Sequence, residues 1–167
     1  FRSGPQGDKP YDELLTETVT VTPYTRLQIE AIRGDIVLEA TDDPGVTLSA
    51  TRIAWVPNAS RARGALDALP VSVTKDTDLV IVRTLLKGDP VSLGCTDYRV
   101  NLKIRYPRNL PVNIAAEEGH TRITENGANV TVEQAAGAIT AVDSVGPLTL
   151  NNKNGTIRVT GARSTVS

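Results

Sequence analysis

Apolar and polar residues alternate along much of this 167-residue chain. The alternation is clear in residues 16–22, 26–30 and 98–106. A period of two sends successive side chains to opposite faces of a strand, so these segments are predicted to be half-buried β-strands. Residues 58–69 break the pattern, because their apolar positions recur at helical spacing. We therefore predict one short helix over residues 60–69, with Pro70 ending it.

From residue 119 onward the chain divides into blocks of nine residues. The blocks read GHTRITENG, ANVTVEQAA, GAITAVDSV, GPLTLNNKN and GTIRVTGAR, followed by STVS. The first position is small in every block, and the third and fifth positions are apolar in almost all of them. Each block is therefore predicted to form a corner, a short strand with two inward side chains, and a polar turn. One block cannot bury its own apolar face, so the blocks must stack on one another.

Glycine recurs most strictly every eighteen residues, at Gly119, Gly137 and Gly155. This period predicts coils with two nine-residue sides, and hence two facing parallel sheets. Segments that begin at Gly34 and Gly45 resemble imperfect coils of the same kind. An antiparallel meander with hairpins of the same spacing is the alternative that the pattern leaves open.

The coil hypothesis makes specific predictions about which side chains stack. Ile139 should lie against Ile157, and Leu148 should lie between Val130 and Val166.

These patterns predict an all-β fold of stacked parallel coils, resembling a β-solenoid or β-helix. Residues 1–12 are expected to be a flexible leader, because they are rich in glycine, proline and charge. Residues 13–167 are expected to form a single β-rich domain. Within it, residues 13–110 form an irregular β part with the helix, and residues 111–167 form the regular coil repeat.

The net charge of −1 hides an uneven distribution along the chain. Residues 1–51 carry net charge −5, residues 52–108 carry +5 and residues 109–167 carry −1. Oppositely charged segments are expected to pack against each other. The alternative is a basic face that binds an anionic polymer or a membrane surface. The overall balance argues against a dedicated nucleic-acid binder, which usually concentrates basic residues on one surface.

The candidate for such a face is a single strand. Arg99, Lys103 and Arg105 alternate with apolar residues and share one side of it. They could bind the anionic groups of a glycan or of lipid headgroups. Such residues also occur on ordinary solvated sheet faces, and both interpretations remain open.

Other candidate chemistry is sparse. Cys95 is the only cysteine, and it is expected to be a small buried apolar residue. His120 is the only histidine and is expected to lie on the surface or at the exposed end of the coils. Asp35, Asp42 and Asp43 form no calcium-binding motif and are interpreted as turn residues. We predict no catalytic, metal or cofactor-binding residues and no cofactor, because no phosphate loop or nucleophile motif is present.

Residues 106–112 read Tyr-Pro-Arg-Asn-Leu-Pro-Val, and repeats of the form Gly-x-Ile-x-Val follow them. Together with the β-rich first half and the short helix, this arrangement resembles the DUF4097 family of adhesin-like "toastrack" domains over residues 16–167. The resemblance implies a bacterial domain outside the cytoplasm, often near membrane anchors, built as a coiled β-solenoid. It implies no site residues, because the family has no catalytic motif to match.

The leading functional hypothesis is a non-enzymatic cell-envelope domain for binding or scaffolding, in the periplasm or at the cell surface. A protein or a glycan would be its partner, with membrane association through a segment absent from this chain. The second hypothesis is a structural protein that self-assembles through its open strand edges. A glycan-active enzyme is the third, since parallel β-helices also host polysaccharide-cleaving enzymes.

Overall fold

The structure of this chain is a computed structural model that describes residues 8–167, apart from the side chain of Val91. Ten β-strands account for most of it, so the prediction of a mostly β chain is confirmed. The strands are β1 (Lys9–Thr20), β2 (Arg26–Arg33), β3 (Ile36–Thr41), β4 (Gly45–Val56), β5 (Val71–Asp76), β6 (Leu79–Thr84), β7 (Asp97–Pro107), β8 (Val112–Thr124), β9 (Val130–Val142) and β10 (Leu148–Thr160). The helices are α1 (Ala59–Asp67) and α2 (Pro90–Leu93).

The flexible leader predicted for residues 1–12 is wrong for residues 9–12, which begin β1. Lys9 lies opposite Val56, and the two strands run antiparallel from there. The sequence did not predict this part of the strand, because a proline within a segment usually argues against a β-strand. Pro10 is tolerated because β1 lies at the edge of the sheet. Residues 1–7 of the predicted leader lie outside the described residues.

Helix α1 confirms the predicted helix, although it ends at Asp67 instead of residue 69. The Asn58 side chain caps it by accepting a hydrogen bond from the backbone N–H of Arg61 at 3.2 Å. The helix buries Ala62, Ala65 and Leu66 against β4 and β1. The one-turn helix α2 was not predicted, since its four residues are too few to show a helical period.

Strands β8, β9 and β10 pair in parallel with a constant offset of eighteen residues. Ile139 pairs with Ile157, as predicted. Leu148 pairs with Val130 on one side and with Val166 on the other, also as predicted. The antiparallel meander is therefore wrong for this part of the chain.

A glycine bend lies inside each of these three strands. The φ angles of Gly119, Gly137 and Gly155 are between 116° and 145°, a region that favours glycine. A Cβ at Gly137 would overlap the carbonyl oxygen of Gly119, and the same overlap recurs between Gly155 and Gly137. Two nine-residue blocks thus form one bent strand of thirteen residues. The prediction of a separate strand and a polar turn in every block is corrected accordingly.

The parallel pairing extends into the irregular part of the chain, at the segment around Gly34. Strands β2 and β3 lie on either side of Gly34, and both pair in parallel with β8. Gly45 does not begin a coil, because β4 runs antiparallel to β1 and β7. The parallel stack is thus continued at its far end by antiparallel strands, which glycine spacing alone could not reveal.

All ten strands belong to one sheet, so the prediction of two facing sheets is wrong. The sheet curls at the glycine bends into two walls. The first wall contains β5, β6, β2 and residues 112–118, 130–136 and 148–154 of the bent strands. The second wall contains β1, β4, β7, β3 and the remaining halves of the bent strands. Apolar side chains of both walls pack into one core.

Candidate functional site

Ion pairs join the acidic first third of the chain to the basic segment that follows it. The prediction that these segments pack against each other is therefore confirmed. The pairs are Arg52–Glu13, Arg63–Glu13, Arg83–Glu30, Lys103–Glu39 and Arg108–Asp42. Much of the positive charge in residues 52–108 thus has a structural partner and is not available to a ligand.

The most buried of these pairs holds α1 on the sheet. The Arg52 side chain is only 10% exposed, and its Nη1 donates to the carbonyl oxygen of Leu66 at 2.9 Å. Its Nη2 pairs with Glu13 on β1, which also accepts from Arg63 at 2.7 Å. Hydrogen bonds from Arg63 and Arg52 lower the pKa of Glu13 to about 2. This node serves the fold, because the Glu13 carboxylate and both terminal nitrogens of Arg52 already have partners.

The predicted basic face lies on the outer surface of the second wall. Arg99, Lys103 and Arg105 are all exposed on β7. The Lys103 ammonium lies 3.2 Å from a carboxylate oxygen of Glu39 on β3. Arg99 and Arg105 make no ion pair within residues 8–167, so both remain available to an external anion.

Two further arginines extend this face. Register places Lys103, Val37, Arg122, Thr140 and Arg158 side by side in one row across β7, β3, β8, β9 and β10. Every second member of the row is basic, so neighbouring cations are two strands apart, roughly 9–10 Å. Arg122 and Arg158 are exposed and form no ion pair with any described residue.

The repeat itself contains the signal for these arginines. Arg122 and Arg158 both occupy the fourth position of their nine-residue blocks, which the pattern assigned to a solvated wall. Only the parallel register shows that this wall is continuous with Lys103, which lies outside the repeat.

The other predicted candidates have structural surroundings. His120 is exposed and lies 2.8 Å from the hydroxyl of Thr140, which confirms its surface position. Asp35 accepts a hydrogen bond from the backbone N–H of His120, and Asp42 pairs with Arg108. The Asp43 backbone N–H donates to Thr41 in the β3–β4 turn. Within residues 8–167, no three such side chains are grouped as a metal site would require.

Cys95 is buried, as predicted. It packs in a small apolar cluster with α1 and the end of β4, where Val56 is also buried. Burial raises the pKa of the Cys95 thiol. A thiol in these surroundings behaves as a small apolar side chain rather than as a nucleophile.

Two side-chain amides inside the glycine bends were missed at the sequence level. Gln134 donates to the carbonyl oxygen of Gly119 at 3.0 Å, and Asn152 donates to that of Gly137 at 2.9 Å. They occupy the same position in blocks eighteen residues apart, which was the available signal. Each amide bridges adjacent coils at the bend, where ladder hydrogen bonds are interrupted.

A groove crosses the outer surface of the first wall. Its volume is about 590 Å³, and a neighbouring depression of about 620 Å³ continues it toward the glycine bends. Ala115 and Ala135 form part of its floor. The two depressions share Ile32, Leu85, Glu117 and Ala135. No sequence motif marked this groove, because it depends on short side chains from adjacent coils.

Two carboxylates lie on either side of Ala115 in this groove. The register places Glu30, Ala115 and Glu133 side by side on β2, β8 and β9. Hydrogen bonds from Arg83, and then from Gln28, lower the pKa of Glu30. A glycosidase needs one carboxylic acid with a raised pKa. Glu30 has the opposite environment, so it does not suit the role of general acid.

Comparison with known proteins gives similarity only at the level of solved structures. No family model matches the chain, and no curated protein matches it. A "putative cell adhesion protein" from Clostridium sporogenes is 10% identical, with a TM-score of 0.43 over 95% of this chain and 97% of that one. A "putative adhesin" from Parabacteroides distasonis is 16% identical, with a TM-score of 0.38 over 88% and 70% of the two chains.

A "putative lipid binding protein" from Parabacteroides distasonis is 12% identical, with a TM-score of 0.32 over 88% of this chain and 73% of that one. Likenesses at these TM-scores carry no argument about function. Neither helix in the described part of the chain has the length and apolar character needed to cross a bilayer.

Proposed function

We propose that this chain is a non-enzymatic binding domain of the bacterial cell envelope, outside the cytoplasm, whose basic second wall binds an anionic polymer. The parallel coils act as a solenoid-like scaffold that holds the binding side chains in a regular row. The observation that carries the proposal is the exposed row of Lys103, Arg122 and Arg158. Two of these three cations have no ion pair among the described residues.

The geometry of the row favours a polymer over a single small anion. Its cations are separated by roughly 9–10 Å, too far apart for one phosphate or carboxylate to contact all three. A chain that carries an anion on successive units can contact them in turn. Guanidinium groups suit this role, because they form paired hydrogen bonds with carboxylate or phosphate oxygens. Arg105 adds an unpaired cation beside the row.

Charge reversal on β10 tests the proposal with a matched control. Arg158 and Lys153 lie on the same strand but on opposite walls. Arg158→Glu should weaken binding to polygalacturonate or poly(glycerol phosphate) at least about tenfold, since one basic residue near an anionic surface contributes roughly 1 kcal/mol and the new carboxylate adds a comparable repulsion. Lys153→Glu should leave binding unchanged, and wild-type binding should weaken with added salt.

Calorimetric titration with each polymer separates carboxylate from phosphate as the recognised group. Equal weakening by both substitutions would show only a dependence on net charge and would contradict a site on the second wall. Absence of binding to both polymers would also contradict it.

Self-association through β10 is a second candidate function, supported by a different observation. Ile157 is 44% exposed, whereas its stacking partner Ile139 is fully buried. A second copy that pairs with β10 would cover Ile157 and its open edge. Light scattering at increasing protein concentration tests this function, and a constant monomer mass would exclude it.

A further inference from the structure

The groove on the first wall is lined by apolar and by polar side chains. Ile32 and Leu85 form an apolar patch beside the paired Glu30 and Arg83, and Leu85 is 41% exposed. Glu133, Asn151 and Lys153, on β9 and β10, form the opposite, polar side. Within residues 8–167, the side chains of these three make no hydrogen bond and no ion pair. They are therefore free to bind a ligand.

The floor between these sides includes short side chains. Outward alanines at Ala115 and Ala135 leave room above adjacent strands, where longer side chains would fill the space. One row across β2, β8, β9 and β10 contains Glu30, Ala115, Glu133 and Asn151. Four adjacent strands span about 14 Å, so an elongated ligand fits across the row. The volume of about 590 Å³ lies within the usual range for ligand sites.

We propose that this groove binds a segment of an uncharged glycan chain. The site is separate from the anionic-polymer face, which lies on the second wall. Hydroxyl groups both donate and accept hydrogen bonds. A sugar can therefore donate to the acceptor-only Glu133 and accept from the ammonium of Lys153. Its C–H face can lie on the alanine floor against Leu85.

Charge and topology disfavour other ligands. Glu30 and Arg83 are paired with each other. Glu117 and Glu133, which form no ion pair among the described residues, repel an anion, while Lys153 offsets one of these two charges and so weakens the attraction for a cation. An extended peptide usually binds by pairing with a free strand edge. This groove lies on the face of the sheet, where both edges of β8 and β9 are already paired. A neutral ligand that needs no strand edge satisfies both conditions.

The test uses the whole chain, labelled with nitrogen-15, and uncharged oligosaccharides. Cellohexaose, mannohexaose and N-acetylated chitohexaose are added to about 10 mM, enough to occupy most of a site with a Kd near 1 mM. At least one of them should shift the backbone amide signals of residues near Ala115 and Ala135. Trilysine and polygalacturonate, added separately, should leave these signals in place.

Paired tryptophan substitutions on β8 then locate the site. Ala115→Trp fills the floor and should weaken binding at least tenfold. Asn113→Trp lies two residues away on the same exposed side of the strand, outside the groove, and should leave binding unchanged. Glu133→Ala should weaken binding about tenfold, as expected for loss of a hydrogen bond to a charged group.

Three results would overturn the inference. These are no groove shifts with any oligosaccharide, groove shifts with trilysine alone, or equal loss of binding in both tryptophan variants. Each result leaves the anionic-polymer proposal intact, because Arg158 and its control are measured with different ligands. Conversely, loss of the polymer site would leave the oligosaccharide shifts unaffected.

Discussion

Two ends of the curled sheet, at β10 and at β1, are held together by different means. In β8, β9 and β10, backbone ladders and glycine bends repeat every eighteen residues with the same register. At the other end, β1, β4 and α1 are joined by antiparallel pairing and by the node of Arg52 and Glu13. The repeat end is held by backbone geometry that recurs in each coil. The other end relies on particular side chains that occur once.

This difference affects how each end responds to substitution. A repeated backbone contact is sensitive wherever an added atom meets the neighbouring coil, whatever the side chain's chemistry. A side-chain node is sensitive to charge and to pH. The three predictions below, in order of decreasing effect, test whether the two ends really differ in this way.

The largest effect is expected at a glycine bend. Gly137→Ala places a Cβ against the carbonyl oxygen of Gly119, at a φ of 116° that disfavours alanine. The overlap involves backbone on both sides, so relief requires the coils to separate. We expect a loss of about 4 kcal/mol or more in the free energy of unfolding, or failure to fold. Urea denaturation measures the loss.

Gly64→Ala in α1 is the matched control for this substitution. Apart from the backbone of its own helix and its chain neighbours, no atom lies within 4 Å of the added Cβ, and alanine is favoured over glycine within a helix by up to about 1 kcal/mol. The control should therefore be neutral or stabilising. Similar stability changes in the two variants would show that the bend does not limit the stack.

A smaller effect is expected in the core, where Ile139 and Ile157 stack on each other. Ile139→Ala removes a fully buried side chain and should cost about 3–4 kcal/mol. Ile157→Ala, at the equivalent position on β10, should cost about 1 kcal/mol because that side chain is 44% exposed. Equal losses at low protein concentration would mean that Ile157 is covered in solution.

The smallest effect, and the one specific to the other end, depends on pH. The pKa of Glu13 is lowered from 4.5 to about 2 in the folded chain. Its stabilising contribution is therefore present above pH 4.5 and is lost as the pH falls toward 2. Glu13→Gln should be less stable than the wild type at pH 7, and the difference should shrink across that interval. Thermal unfolding at several pH values measures it.

Glu17→Gln makes the same chemical change on the same strand, at a side chain with no ion pair among the described residues. It should leave the free energy of unfolding unchanged at pH 7. A pH-independent difference between Glu13→Gln and the wild type would contradict the role assigned to the Arg52 node.

These two kinds of contact explain which strand pairings could be predicted from the sequence and which could not. The eighteen-residue period correctly placed Ile139 against Ile157, because equivalent residues of successive coils must stack. Nothing comparable could place Lys9 opposite Val56, since that pairing joins distant segments without a shared period. Only part of the basic face was predicted, because Arg122 lies in the same row as Lys103 only through the pairing of β8 with β3 and of β3 with β7.

The sequence by itself determined the β character of the chain, the helix after Asn58 and the eighteen-residue glycine repeat. These depend on local alternation, capping and periodicity, which are visible along the chain. Only the tertiary structure decided that the walls belong to one curled sheet, which cations remain unpaired, and where a groove opens above Ala115. Those features depend on which distant strands become neighbours, and hydrogen-bonded register determines that only once the whole sheet has formed.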